Sequence, residues 1–152
     1  MELLTREAFR EQCLERDGHK CVICGNTDDL AVHHIIERRI WGNGGYYLAN
    51  GATLCPVHHI QAEQTILSCE EIRKAVGITE TALPEHLYRD NDYRYDKWGN
   101  IILPNGTRLK GELFYDESVQ KILREGGVLD SFVNHVKYPR TYHAPWSNII
   151  KD

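Results

Sequence analysis

Between residues 21 and 63 lie two knuckles of metal-ligand spacing, a histidine pair, an asparagine and one further histidine. Cys21-Val-Ile-Cys24 is a C-x2-C knuckle, and Cys55-Pro-Val-His58 is a C-x2-H knuckle. Two residues between ligands let a tight turn present both donors to one ion, and two such turns complete a tetrahedron. Four nitrogen and sulfur donors leave no position for water, which is the make-up of a structural zinc site. A redox pair at Cys21 and Cys24 would call for a βαβ setting, and none is visible. Five cysteines are an odd number, and residues 1–16 are charged throughout, with no export signal, so disulfides are not expected. Cys13, four residues after Phe9, reads as core packing on a helix, and Cys69 has no evident partner.

The other side chains of this stretch point to a second centre. His33 and His34 fall in the run Leu30-Ala-Val-His-His-Ile-Ile36, whose β-branched content reads as a short strand. His59 follows His58 on a predicted helix over 56–63, with Pro56 in its first turn. Adjacent helical residues point about 100° apart, so His58 and His59 can serve two different sites. Glu63, at i+4 from His59, shares its face. A strand histidine pair facing a helical histidine and a carboxylate has the donors for a divalent cation and a general base. Neighbouring strand residues face opposite ways, however, so the pair must sit where the strand bends or ends. In a regular strand one histidine would be in the core and the other in water.

Taken in order, these residues resemble the HNH, or ββα-metal, endonuclease family, in the zinc-supported branch where four ligands bracket the catalytic hairpin. His34 to Asn50 is sixteen positions and Asn50 to His59 is nine, close to the family's usual spacing. The family's fourth zinc ligand is usually Cys, and here it is His58. The resemblance implies an α+β fold, a small ββα-metal core with a structural zinc site, flanking helices and a C-terminal α/β extension. It implies His34 as general base, Asn50 as the central residue that orients the hairpin loop, and His59 as the last motif histidine. His33 and His59 would hold a catalytic Mg, Mn or Ni ion, with Glu63 as a third ligand. The ion would neutralise charge at a phosphate and at the leaving 3′ oxygen, while His34 deprotonates water. With an ordinary histidine pKa of about 6.5, activity would rise with pH through that titration. The products would carry a 5′-phosphate and a 3′-hydroxyl. The function expected is a metal-dependent DNA endonuclease; the alternative is a non-catalytic zinc module that binds nucleic acid or a protein partner.

The formal charge of −4 runs against a strong phosphate binder. His19, Lys20, Arg38 and Arg39 gather near the motif, and Arg38 and Arg39 are the candidate substrate contacts. The acidic total implies weak, salt-sensitive binding of DNA, or a partner that supplies affinity. Because one asymmetric site cuts one strand, double-strand cleavage would call for a homodimer or a larger complex. No apolar run approaches the roughly 20 residues that span a membrane, and a cytoplasmic protein, compatible with phage or bacterial origin, is expected.

The elements that must carry these residues are legible to different degrees. A helix over 5–16 capped by Thr5, and another over 68–76 capped by Ser68 and stopped at Gly77, follow from end signals. The glycine-rich run Trp41-Gly-Asn-Gly-Gly-Tyr-Tyr47 reads as a loop pinned by its aromatics, or one that stacks a base. Turn signals at Gly99-Asn100 and Pro104-Asn-Gly106 predict a small hairpin or meander. Helices are expected over 116–124 and 130–136, and the basic, aromatic residues 137–146 read as a strapping tail. Two units are expected, a nuclease domain over 1–80 and an extension over 81–152 packed on or beside it.

Overall fold

A computed structural model describes residues 1–87 and 94–133. Its centre is a β-hairpin followed by a helix. β1 (Ala31–His34) pairs antiparallel with β2 (Gly51–Leu54), in a register that sets Ala31 opposite Leu54 and His34 opposite Gly51. α2 (Pro56–Glu63) follows at once, with Pro56 at its start, where the missing N–H is no loss. This is the ββα unit expected.

α1 (Arg6–Arg16) braces the hairpin from its N-terminal side. The Thr5 hydroxyl accepts a bond from the Ala8 amide, and Phe9 and Cys13 are buried. The Arg16 guanidinium donates to the carbonyls of Leu48 and Gly51, and the Asp17 carboxylate accepts from the Thr53 amide. Gly51 sits so close to α1 that an added Cβ would lie 2.5 Å from Cys13 Sγ and 2.6 Å from the Phe9 ring. Only glycine lets the strand approach the helix this closely.

α3 (Cys69–Val76) has the reciprocal Ser68–Glu71 capping box and ends at Gly77, whose φ of 90° terminates it as expected. Cys69 is buried, and its thiol donates to the Ile35 carbonyl. Beyond it, β3 (Arg94–Tyr95), β4 (Ile101–Ile102) and β5 (Arg108–Leu109) form the expected antiparallel meander. α4 (Glu117–Glu125) starts from Asp116, whose carboxylate accepts from the Val119 amide.

The meander does not stand apart from the hairpin. Ile35, Ile36, Leu54 and Ile72 share one core cluster with Tyr95, Ile101 and Leu109, and Trp98, Val119 and Leu123 form a smaller one. Of the helix expected over 130–136, the described part is a single 3-10 turn, Leu129–Ser131, after which Phe132 bridges to Arg108. The short apolar run there packs as a tie to β5 and has no capped start of its own. Residues 134–136 and the expected tail over 137–146 lie outside the described residues. No helix among the described residues is long and apolar enough to cross a membrane.

Candidate functional site

Two donor clusters draw on neighbouring residues of α2, one on His58 and the other on His59 and Glu63. In the first, the donor atoms of Cys21, Cys24, Cys55 and His58 all lie within 4.8 Å of one another. Cys24 Sγ is 3.7 Å from Cys55 Sγ, and His58 Nδ1 is 3.2 Å from Cys55 Sγ and 3.6 Å from Cys21 Sγ. Metal–sulfur and metal–nitrogen bonds of about 2.3 and 2.0 Å make tetrahedral edges of about 3.5–3.8 Å, close to these separations, so this quartet could hold a zinc ion. Burial acts to raise the Cys21 thiol, but backbone hydrogen bonds at Cys24, Cys55 and Ile23 outweigh it and hold the thiol down at about 6. The thiolate that zinc requires is thus favoured by the backbone. The Val22 amide donates to the Thr53 carbonyl and ties the first knuckle to β2.

The second cluster is His33, His59 and Glu63, with donor atoms again within 4.8 Å of one another. His33 is only 2% exposed, and neither of its ring nitrogens has a hydrogen-bond partner. A buried imidazole with both nitrogens unsatisfied is costly unless something else occupies one of them. Its ring lies 5.3 Å from that of His59, edge to face, and His59 Nε2 is 3.1 Å from Glu63 Oε1. Burial, followed by the charge of Lys97, pushes His33 well below the usual histidine range and keeps it neutral, the form that ligates. Glu63 is raised by burial, but hydrogen bonding to His59 and the charge of Lys97 hold it below the usual carboxylate range. The donor set, two imidazoles and a carboxylate, fits a divalent transition ion or a hard cation that keeps water ligands.

His34 is the last residue of β1, and this settles how adjacent strand histidines reach one place. Its ring turns to the other side of the strand, stacked on Phe9 at 4.8 Å and against Tyr46 at 5.1 Å. His33 and His34 nevertheless line one cavity of about 400 Å³, because the cavity wraps the strand end. His34 Nε2 has no hydrogen-bond partner. Burial, then the Lys97 charge, lowers the His34 pKa to about 4, so the ordinary histidine value used for the sequence does not apply here.

Asn50 is wholly buried and works as a clamp on the chain leaving β1. Its Oδ1 accepts from the Ile36 amide at 2.9 Å, and its Nδ2 donates to the carbonyls of Ile36 and Gly45, each at 3.1 Å. Its own carbonyl accepts from the Ile35 amide at 2.8 Å. Asn50→Ala would strand these buried groups, and a loss of about 3 kcal/mol is expected in urea unfolding.

Residues 21–64 match the family model described as HNH endonuclease. The likeness to HNH endonucleases lies in this segment. The match covers under a third of the chain and spans both donor clusters and Asn50. Comparison with curated proteins and with solved structures gave no match.

Around this segment, the two candidate substrate arginines part company. Arg38 lines the cavity and reaches the Tyr46 hydroxyl at 3.5 Å. Arg39 does not line it; its guanidinium pairs with Asp116 at 3.0 Å and Glu37 at 3.5 Å. Trp41 donates its ring N–H to the Ile36 carbonyl, so it pins the glycine-rich loop. Three cavity cations escaped the sequence reading: Arg6 and Arg10, four apart on α1, and Lys97. The i, i+4 spacing of the arginines was a usable signal. Lys97, 63 residues from His34 and in a weakly patterned segment, offered none.

Proposed function

We propose that this protein is a metal-dependent endonuclease that hydrolyses phosphodiester bonds in DNA. The observation that carries the reading is the buried, unpartnered His33 beside His59 and Glu63, lining a cavity that His34 also lines. An adaptor with a purely structural zinc has no use for a buried, unpartnered imidazole beside a second set of donors.

His33, His59 and Glu63 would hold Mg, Mn or Ni, and the bound cation would neutralise charge developing on the phosphate. Nε2 of His34, free of any protein partner, accepts the proton of the attacking water. The water oxygen bonds to phosphorus as the bond to the 3′ oxygen breaks. The departing oxygen is protonated from solvent, leaving a 5′-phosphate and a 3′-hydroxyl. Asn50 transfers no proton; its clamp on Ile36 and Gly45 fixes the chain beyond His34. Cys21, Cys24, Cys55 and His58 would hold a structural zinc and so join both ends of the hairpin to α2.

Metal titration tests the reading. Zinc-loaded wild type should take up one further, weaker divalent ion, seen by calorimetry with Mn²⁺ or Ni²⁺. His33→Ala and His59→Ala should lose that uptake, about 100-fold in affinity or more, while keeping one zinc. A single tight zinc in all three proteins would favour the adaptor.

The pH dependence follows from the lowered pKa of His34. A base with a pKa of about 4 is in its active neutral form at any higher pH, and loses it as pH falls through that value. Single-turnover cleavage should therefore be flat from about pH 5.5 to 8 and decline below about 5. A limb centred near 6.5 would show that the ring is not held as described.

A further inference from the structure

Lys97 is buried beside the second donor cluster and comes from outside the HNH segment. It is 5% exposed, yet it lines the cavity with His33, His34 and Glu63. A buried ammonium is costly unless its donors are used. Among the described residues its Nζ makes one hydrogen bond, to the His34 carbonyl at 3.0 Å. Glu63 and Glu37 act on it electrostatically, but neither forms an ion pair with it. An ammonium carries three donors, so two are left for whatever enters the cavity.

The turn that carries Lys97 is rigid and bolted to the site. The Asp96 carboxylate accepts from the amides of Trp98 and Asn100 and from the Asn100 side chain. The Glu37 amide donates to the Lys97 carbonyl at 2.9 Å, and the Trp98 ring N–H donates to the Glu63 carbonyl at 2.7 Å. Nζ lies 4.9 Å from the centre of the Trp98 ring, a further favourable contact for a cation. The turn between β3 and β4 thus grips both the strand end that carries His34 and the helix end that carries Glu63.

Two carboxylates, Glu37 and Glu63, and four cations, Arg6, Arg10, Arg38 and Lys97, line the cavity, and of the cations only Lys97 is buried. A phosphodiester entering it needs a fixed cation at depth. We propose that Lys97 contacts the substrate phosphate, so that the C-terminal meander supplies a phosphate-binding residue to the HNH site. This rests on the nuclease reading above. The competing role is purely positional, with Lys97 doing no more than hold the His34 carbonyl.

Charge and hydrogen bonding can be separated with Lys97→Gln, which keeps a donor and loses the charge, and Lys97→Arg, which keeps the charge. The measurement is anisotropy of a short labelled duplex with zinc-loaded protein and no other divalent ion, across a KCl series. Plasmid cleavage, zinc content and melting temperature are followed in parallel. Lys97→Gln should flatten the slope of log affinity against log salt by about 0.9, the share of one phosphate contact, and Lys97→Arg should restore it. Cleavage by Lys97→Gln should fall about 100-fold. A wild-type slope in Lys97→Gln would overturn the phosphate contact, even with cleavage lost, and leave a positioning role. No binding and no cleavage by wild type would overturn the nuclease reading, and this inference with it.

Discussion

Stripping zinc from the quartet, or replacing one of its ligands by His58→Ala, is expected to unfold the hairpin–helix unit and not merely to loosen it. The four donors join the turn before β1 to the start of α2, and Cys21 and Cys55 belong to the main core cluster. Structural zinc in small domains is bound with about 10–16 kcal/mol, comparable to or above the about 5–15 kcal/mol that holds a whole domain folded. Chelation should remove the cooperative melting transition and a large share of the far-ultraviolet signal, and zinc should restore both. His58→Cys supplies the same coordination with a softer donor and should keep metal and fold. A stripped protein with an unchanged melting temperature would mean that the quartet is not structural.

His34→Ala should do the opposite, removing catalysis while leaving the fold and both metal clusters in place. His34 is not among the donors of either cluster. Its ring packs on Phe9 and Tyr46, so its loss should cost about 1–2 kcal/mol of stability. The rate should fall by about 10²–10⁴-fold, the usual worth of a positioned general base. Zinc content and the uptake of a second ion by calorimetry should match wild type. A variant that cleaves within tenfold of wild type would require another base. Taken together, His58→Ala and His34→Ala assign the fold to the quartet of Cys21, Cys24, Cys55 and His58 and the chemistry to the cavity lined by His34.

The parts of this arrangement that could be read from the sequence are those encoded by local spacing. Two-residue gaps between Cys and His set the quartet, the i+4 step from His59 set Glu63, and Ser68 with Gly77 set both ends of α3. Adjacent placement of His58 and His59 on one helix was enough to divide them between two centres. What could not be read depends on long-range packing. The histidine pKa is an example: its fall to about 4 comes from burial and from Lys97, neither of which is visible near residue 34. β3, β4 and β5 are two residues each, too short for an alternating pattern; Gly99-Asn100 marked the turn between β3 and β4, but nothing local showed that this turn brings Lys97 to the His34 carbonyl. Arg39 shows the converse. Its position beside Arg38 reads as a paired basic patch, but an ion pair with Asp116, 77 residues on, turns it away.

The most direct test is to incubate supercoiled plasmid with zinc-loaded wild type, with and without added Mg²⁺, Mn²⁺ or Ni²⁺, beside His34→Ala. Conversion to nicked circles by wild type only when the second ion is present, with 5′-phosphate ends and no conversion by His34→Ala, is the result expected. Intact plasmid with every ion, from protein that carries zinc and still binds the DNA, would contradict the account and favour a zinc-dependent binding module.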